Sequence, residues 1–352
     1  MAILFLRLLT ISNFKHMKPN FLTTSLAGIL TVLVLASCED VINIDLATGP
    51  AQVAVDGWIT NNEGPQQIRV TLTNGYLNVK SPPPAAGAVV RVTDDEGTIF
   101  EFTDPKATGF YTWTPKNNER LGKIGRKYYL TVDYKGQSYL AFSEIKNVPK
   151  LDSITFEKDR RVSQPNAPEG YRAELWAVDL KGEGDNYWLR TFRNGKLLNA
   201  TNNITVLYDA GFNANADTDG FMFIRPARRS INPDSLYNLN DDVKVEIRSI
   251  PIEAFYFFQE LRLQVNNGGL FASPPNNVST NVFNITELIT QNGGGTNGLN
   301  IPTLLRQNPR DFLPQLQTIN GRSKQKAVGF FGAAATNTIA VKVTEKLVRP
   351  KQ

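Results

Sequence analysis

The sequence is poorest in the two side chains on which most hydrolytic and metal chemistry depends. Its 352 residues contain one cysteine, Cys38, and one histidine, His16. Ser-His-Asp and Cys-His catalysis both require an imidazole, and zinc sites are usually built from cysteine and histidine. A single cysteine also prevents any disulfide within the chain, so the hydrophobic core must hold the fold. We expect no catalytic residue and no cofactor. Carboxylate chemistry, such as a glycosidase pair, and calcium bound by oxygen ligands are the alternatives that this composition leaves open.

Basic residues are not concentrated in one place either. The net charge is +5, and no basic cluster or stripe indicates a nucleic-acid-binding surface. If residues 1–37 are removed, Arg7, Lys15 and Lys18 are lost. That loss leaves 35 basic against 33 acidic residues, and the net charge falls to about +2. We therefore expect no nucleic acid among the partners.

Residues 1–37 are typical of a signal peptide. Lys18 supplies a positive charge, Phe21–Leu35 is an apolar run, and the small residues Ala36 and Ser37 precede Cys38. The pattern Leu-Ala-Ser-Cys resembles the bacterial lipobox, whose cysteine is lipidated and becomes the first residue. We predict that Cys38 carries lipid and anchors the protein to the outer membrane.

Two further interpretations concern the nature of the N-terminal segment and the residue at which translation starts. A single membrane-spanning helix over residues 21–37 is the alternative to the signal peptide, although this segment is at the short limit for a span. Residues 1–16 add a second apolar stretch before a leader of ordinary proportions. We therefore expect translation to start at Met17.

The sequence pattern of residues 38–50 indicates a lipidated tether followed by a first strand. Glu39 and Asp40 directly follow the cysteine, and acidic residues there resemble the surface-export signal of Bacteroidetes lipoproteins. A solvated acidic tether is the alternative. Val41–Leu46 alternates apolar and polar residues, with the period of a half-buried strand.

Residues 51–149 predict an immunoglobulin- or prealbumin-like β-sandwich. About seven short alternating segments are separated by turn residues, as in other sandwiches. Gly87–Val92, a turn at Gly97 and then Gly109–Tyr111 resemble the prealbumin-like modules of bacterial surface proteins. Such modules are usually structural or binding units without catalysis.

Residues 150–352 predict a second β-rich domain, so the fold class is all-β. Its strands include 221–224 and 243–250, and one helix is expected over 251–266. The helix has an apolar stripe that we expect to pack against the sheets of this domain; the stripe comprises Ala254, Phe257, Phe258, Leu261 and Val265. Residues 270–326 are rich in glycine and proline and predict a long irregular loop region. Loops of this length often bind partners.

The order of several short motifs resembles the Bacteroidetes outer-membrane lipoprotein family called domain of unknown function 4249 (DUF4249). The motifs are Val55–Thr60, Gly87–Asp94, Val148–Ile154, Ser273–Pro275 and Ala327–Phe331. The resemblance implies a partnership with a TonB-dependent receptor of the outer membrane. It supplies no catalytic residues.

Two local sequence patterns resemble known kinds of site. Asn215, Asp217 and Asp219 resemble the start of a calcium loop, with an ordinary polar turn as the alternative. Pro226 stands where such a loop needs a bidentate glutamate, so we predict no metal. Ser153 and Ser235 each follow an aspartate and precede an apolar residue. This short pattern fits Bacteroidetes O-glycosylation and also arises by chance.

Three functions follow from these observations. The first is a surface-exposed, non-catalytic lipoprotein that captures a substrate for a TonB-dependent receptor, which it contacts through Leu270–Lys326. The second is a stand-alone glycan-binding or adhesive lipoprotein. The third is a carboxylate-dependent glycosidase. Glu183, Asp185 and Asp209 read as loop charges rather than as a catalytic pair.

Overall fold

The computed structural model describes residues 49–75, 78, 80–117, 119–159, 169–210, 220–233, 235–267, 278–291, 314, 317–318 and 320–350. The predicted lipid anchor, export residues and calcium candidates lie outside these ranges; they are Cys38, Glu39, Asp40, Asn215, Asp217 and Asp219. The described residues belong to one compact unit.

Short strands dominate the described part of the chain, as the alternating sequence predicts. They are β1 (Val53–Thr60), β2 (Gln66–Leu72), β3 (Val89–Asp94), β4 (Ile99–Phe102), β5 (Phe110–Trp113), β6 (Lys127–Tyr134), β7 (Gln137–Glu144), β8 (Leu151–Asp159), β9 (Gly170–Ala177), β10 (Asn186–Arg193), β11 (Lys196–Leu197), β12 (Thr205–Tyr208), β13 (Asp242–Ser249), β14 (Phe283–Asn284), β15 (Ala327–Ala334), β16 (Thr336–Lys342) and β17 (Val348–Arg349). Two α-helices, α1 (Ile252–Val265) and α2 (Thr286–Gln291), accompany them. Short 3-10 turns lie at Thr201–Asn203, Ala227–Arg229 and Glu345–Leu347. The all-β fold class is therefore confirmed.

The strands form four sheets around two main hydrophobic cores. Sheet 1 has the order β15-β1-β2-β5, and sheet 2 has the order β14-β7-β6-β3-β4. These two sheets share the first core, which includes Val55, Ile68, Val92, Leu130 and Phe331. Alternate apolar residues of each strand supply that core, which is the sandwich arrangement that the first half of the sequence predicts.

The second core lies between two further sheets. Sheet 3 has the order β11-β10-β13-β16, with β12 also paired to β10, and sheet 4 has the order β17-β8-β9. Phe156, Leu175, Tyr187, Val245 and Ile247 are all buried there. All of the buried residues of this second core lie after residue 150, whereas the first core also includes Val282, Ala327 and Phe331.

Two strands from residues 150–352 nevertheless complete the sheets of the first core. β15 pairs in parallel with β1, in register from Val53 with Ala327 to Thr60 with Ala334. β14 pairs with β7. Parallel neighbours need a long crossover connection, so no local pattern in the sequence indicates this pairing. The predicted range 150–352 therefore contributes two strands to the sheets built by residues 51–149.

Helix α1 confirms the predicted helix, with small differences at its first turn and its apolar stripe. Pro251 is the N-cap residue, with extended backbone dihedrals, rather than the first helical residue. Ala254 and Phe258 are buried, whereas Val265 is exposed. Phe258 contacts Trp58 of sheet 1 as well as Trp188 of sheet 3. The helix therefore packs against both halves of the chain, not only the second.

Two other predictions in this half are wrong. Residues 221–224 do not form a strand, because only one bridge, between Val178 and Met222, is made before the chain turns at Ala227–Arg229. Residues 283–291, predicted as irregular loop, form β14 and α2. Phe283 and Ile285 are buried there beside Leu140 and Phe142 of β7. Within the described ranges, no helix is long and apolar enough to cross a membrane.

Candidate functional site

A cleft lies between the outer faces of sheets 1 and 3. In β1, Val55 and Ile59 point into the first core, so the intervening residues Asp56 and Trp58 point away from it. In β10, Leu189 is buried in the second core, so Trp188 and Arg190 face outward. Because α1 packs across both faces, these outward residues meet in one concave site.

Aromatic rings line the inner part of the cleft. The ring centroids of Trp58 and Trp188 are 5.2 Å apart, and those of Trp188 and Phe258 are 4.6 Å apart. Phe330 of β15 lies 5.8 Å from Trp58 and 5.1 Å from Phe257. The cavity beside these rings has a volume of about 370 Å³, which is within the range of small-molecule sites.

Glycines of β15 permit this arrangement. Gly332 is paired with Trp58 across the parallel ladder, and a Cβ atom at residue 332 would overlap the Trp58 ring. Gly329, which also lines the cavity, has a φ of 90° that an L side chain rarely adopts. The indole of Trp58 can therefore lie flat against the neighbouring strand.

The buried carboxylate of Glu246 binds two arginines beside the aromatic rings of the cleft. Arg190 Nη1 and Arg248 Nε both donate to Glu246 Oε1, at 2.8 Å and 2.7 Å. Burial alone would raise the pKa of Glu246, but the charges and hydrogen bonds of Arg248 and Arg190 outweigh it. The net result is a lowered pKa. Glu246 therefore stays ionised and is committed to the two guanidinium groups.

Asp56 is the second carboxylate of this region, and its environment differs. Its side chain is exposed at the cleft, in β-ladder register with Arg69 of β2. Desolvation by the surrounding protein raises the pKa of Asp56, and the charges of Arg69, Arg190 and Arg248 only partly oppose this effect. Asp56 is the one acidic residue among the described residues that line the cavity.

The cations are stacked on rings along the outward face of sheet 3. The Arg248 guanidinium lies 5.2 Å from the Trp188 ring, and that of Arg190 lies 5.5 Å from both Trp188 and Phe192. Lys244 Nζ lies 4.7 Å from Phe192. Phe192 and Lys244 also line a second concavity of about 420 Å³ on the same face. Rings and positive charges therefore alternate along the outward side of β10 and its neighbour β13, and Asp242 is the acidic residue at the second concavity.

The residues singled out from the sequence lie elsewhere. Ser153 is half-buried within β8, whereas Ser235 is exposed and accepts a hydrogen bond from Arg193 Nη1 at 2.9 Å. Asp209, predicted as a loop charge, is buried. In the part of the chain that the structure describes, no cluster of histidine, cysteine, aspartate and glutamate could hold a metal ion.

The sequence patterns did not reveal the cleft, although the apolar stripe of α1 does pack as expected. Ala254 and Phe258 are buried in one cluster with Phe330, and Trp58 and Trp188 pack against it. The usable pattern was in β10, where Trp188, Arg190 and Phe192 alternate with buried Leu189 and Thr191. A strand whose outward positions hold rings and a guanidinium, rather than small polar residues, favours a binding surface. The partners of that strand could not be read from the same pattern.

The geometry defines an all-β protein with an aromatic, arginine-bordered cleft between two of its sheets. The chain belongs to the family described as Domain of unknown function (DUF4249), whose model matches residues 39–294. No curated protein matches it. The crystal structure of bovine butyrophilin is similar over 55% of this chain and 91% of that chain, with 11% identity and a TM-score of 0.17. Because the family and the fold leave the function open, the function is inferred from the cleft.

Proposed function

We propose that this protein is a non-catalytic ligand-capture lipoprotein. In this proposal, lipid on Cys38 holds it to the outer membrane, facing the exterior, and it passes its ligand to a TonB-dependent receptor. The observation that carries the proposal is the cleft between sheets 1 and 3, which combines an aromatic wall with a few polar groups. Small-molecule sites have this composition and often lie where two structural units meet.

The chemistry of the cleft favours binding over glycoside hydrolysis. A glycosidase needs two carboxyl groups facing one substrate bond. The residues that line this cavity include Asp56 but not Glu246, whose Oε1 atom is occupied by Arg190 and Arg248. A nucleophile or base held in that way is stabilised in its resting state rather than presented to a substrate.

The receptor partnership rests on the lipobox at Cys38 and on the resemblance that the sequence motifs carry. Affinity purification of the full-length protein from native membranes in mild detergent tests it directly. We expect a large β-barrel receptor to be recovered in near-equal amount. The Cys38→Ala variant, expressed at the same level, is the control for contacts formed only after lysis.

The contact region can be tested by deletion within Leu270–Lys326. Because Phe283 and Ile285 are buried against β7, the deletion should spare α2 and remove only residues 292–313. We expect this variant to lose the receptor, and its melting temperature is measured to check that it is folded.

Stand-alone adhesion is the second candidate, since the same cleft could bind glycans at the cell surface. If the lipoprotein is purified alone, and the deletion leaves ligand uptake unchanged, the receptor proposal is wrong and adhesion replaces it. If purified protein releases reducing sugar from an oligosaccharide, the protein is not a non-catalytic one.

A further inference from the structure

We propose that the cleft binds an acidic saccharide, with its hexuronate carboxylate beside Arg69 and Arg190 and its sugar ring against Trp58 and Trp188. This inference rests on the proposed capture function and adds the class of ligand. Its support comes from the charge balance, from unpaired donors and from the placement of the rings.

Positive charge exceeds negative charge around the cleft. Among the described residues, the groups that interact there are the guanidinium groups of Arg69, Arg190 and Arg248 and the carboxylates of Asp56 and Glu246. One carboxylate is shared by two of the arginines. The local field therefore favours an anion.

Two of these cations have donors that nothing in the described chain satisfies. The Nε–H groups of Arg69 and Arg190 are buried and have no hydrogen-bond partner among the described residues. Arg69 stacks on Phe110, with its guanidinium carbon 5.2 Å from the ring centroid, and it lies opposite Asp56 in the β-ladder. Buried donors are almost always paired in native proteins, so the charge of these two groups is incompletely matched within the described chain. Both arginines are half-buried rather than fully buried, so a ligand with acceptor oxygens can approach the exposed part of their side chains.

The rings distinguish a saccharide from a bare anion. Sulfate or phosphate would use the guanidinium groups and leave the Trp58 and Trp188 rings uncovered. A pyranose ring has an apolar face that can lie against an indole. Asn199 and Asn203, whose side chains can donate and accept hydrogen bonds, are among the residues that line the same cavity. An acidic sugar therefore uses both the cations and the rings.

The outward face of sheet 3 extends the site beyond one sugar. Arg190 stacks on both Trp188 and Phe192, and Lys244 follows beside Phe192 at the second concavity. A ligand with repeating rings and carboxylates would meet rings and cations in the same alternation. We therefore expect oligomers to bind more tightly than a single hexuronate.

A panel of trisaccharides tests the proposal on the full mature protein. The panel contains oligomers of galacturonate, mannuronate and glucuronate, each with its uncharged methyl ester. Binding is measured by calorimetry and by tryptophan fluorescence, since two of the four tryptophans lie in the cleft. We expect one acidic trisaccharide to bind at least tenfold more tightly than its ester, with weaker binding at high salt.

Variants locate the bound acid. Arg69→Gln should weaken binding of the acidic trisaccharide about tenfold and leave the ester unchanged, because one charge-assisted contact is lost. Arg91→Gln is the matched control. Arg91 lies on sheet 2, away from the cleft, and pairs with the exposed Glu101 of the same sheet at 3.5 Å. Trp58→Phe should reduce both the affinity and the fluorescence change. Melting temperatures confirm that each variant is folded.

The outcomes separate this inference from the proposed function. Equal affinity for acid and ester would overturn the acidic ligand and leave capture in place. The saccharide site itself is wrong if no trisaccharide binds at millimolar concentration. It is also wrong if neither Arg69→Gln nor Trp58→Phe changes the affinity for the trisaccharide. Receptor co-purification is an independent measurement, so its failure would leave the saccharide result unaffected.

Discussion

Replacing Glu246 by glutamine removes the carboxylate that neutralises two buried or half-buried guanidinium groups. The Glu246 side chain is 9% exposed, and its partners Arg190 and Arg248 are 21% and 11% exposed. Glutamine keeps the shape and one acceptor oxygen but not the charge. The variant therefore leaves two neighbouring arginines in mutual repulsion beside the Trp188 ring.

The expected cost follows from this environment. Removing one partner of a fully buried ion pair destabilises a protein by about 3–5 kcal/mol. Because solvent reaches part of Arg190 and glutamine still accepts a hydrogen bond, we expect about 2–4 kcal/mol here. The matched control is Glu101→Gln, whose carboxylate is 71% exposed and pairs with Arg91. Exposed pairs contribute little, so its cost should stay below about 1 kcal/mol.

The effect should also depend on pH in a definite direction. The pKa of Glu246 is lowered in the folded protein, so its stabilising charge is fully present above the unfolded pKa of about 4.3. It is lost as the pH falls from that value through the folded pKa. The difference between wild type and Glu246→Gln should therefore be constant at neutral pH and shrink in acid.

Urea denaturation of the mature protein at pH 7 and at steps down to pH 3 measures this difference. The midpoint should fall in Glu246→Gln with little change in slope. A loss of less than about 1 kcal/mol at pH 7, equal to that of Glu101→Gln, would refute the assignment of Glu246 as the organising charge of the cleft. A difference that does not change with pH would refute its electrostatic origin.

The remaining predictions concern single positions. Gly332→Ala should destabilise the protein by about 1–3 kcal/mol and shift the Trp58 emission, whereas Gly321→Ala, with open space around it, should do neither. Metabolic palmitate labelling should disappear in Cys38→Ala, and its persistence would contradict lipidation there. Protease shaving of intact cells should cut wild type more readily than the double variant Glu39→Ala/Asp40→Ala; equal cutting would make the two acids a simple tether. If either serine is glycosylated, intact mass and peptide mapping should place the glycan on exposed Ser235, because Ser153 is half-buried in β8.

Local patterns in the sequence were sufficient for the elements themselves. The strand pattern at residues 243–250 predicted β13, and apolar spacing with Pro251 predicted α1. These features depend on neighbours within a few residues, which the sequence shows directly. The prediction at residues 221–224 was wrong because a short apolar run is compatible with a strand only if a partner is available, and one bridge is all that forms there.

The sequence by itself determined the all-β character, the family, and the composition that leaves one cysteine and one histidine in the whole chain. The tertiary structure alone decided that β15 lies beside β1 and that Trp58, Trp188, Phe258 and Phe330 share one cleft. These residues are far apart in the chain, and each is brought in by a strand or helix whose own pattern would fit many partners. Long-range pairing is chosen by the summed packing of two cores, so only the folded chain defines the site and the charge on its wall.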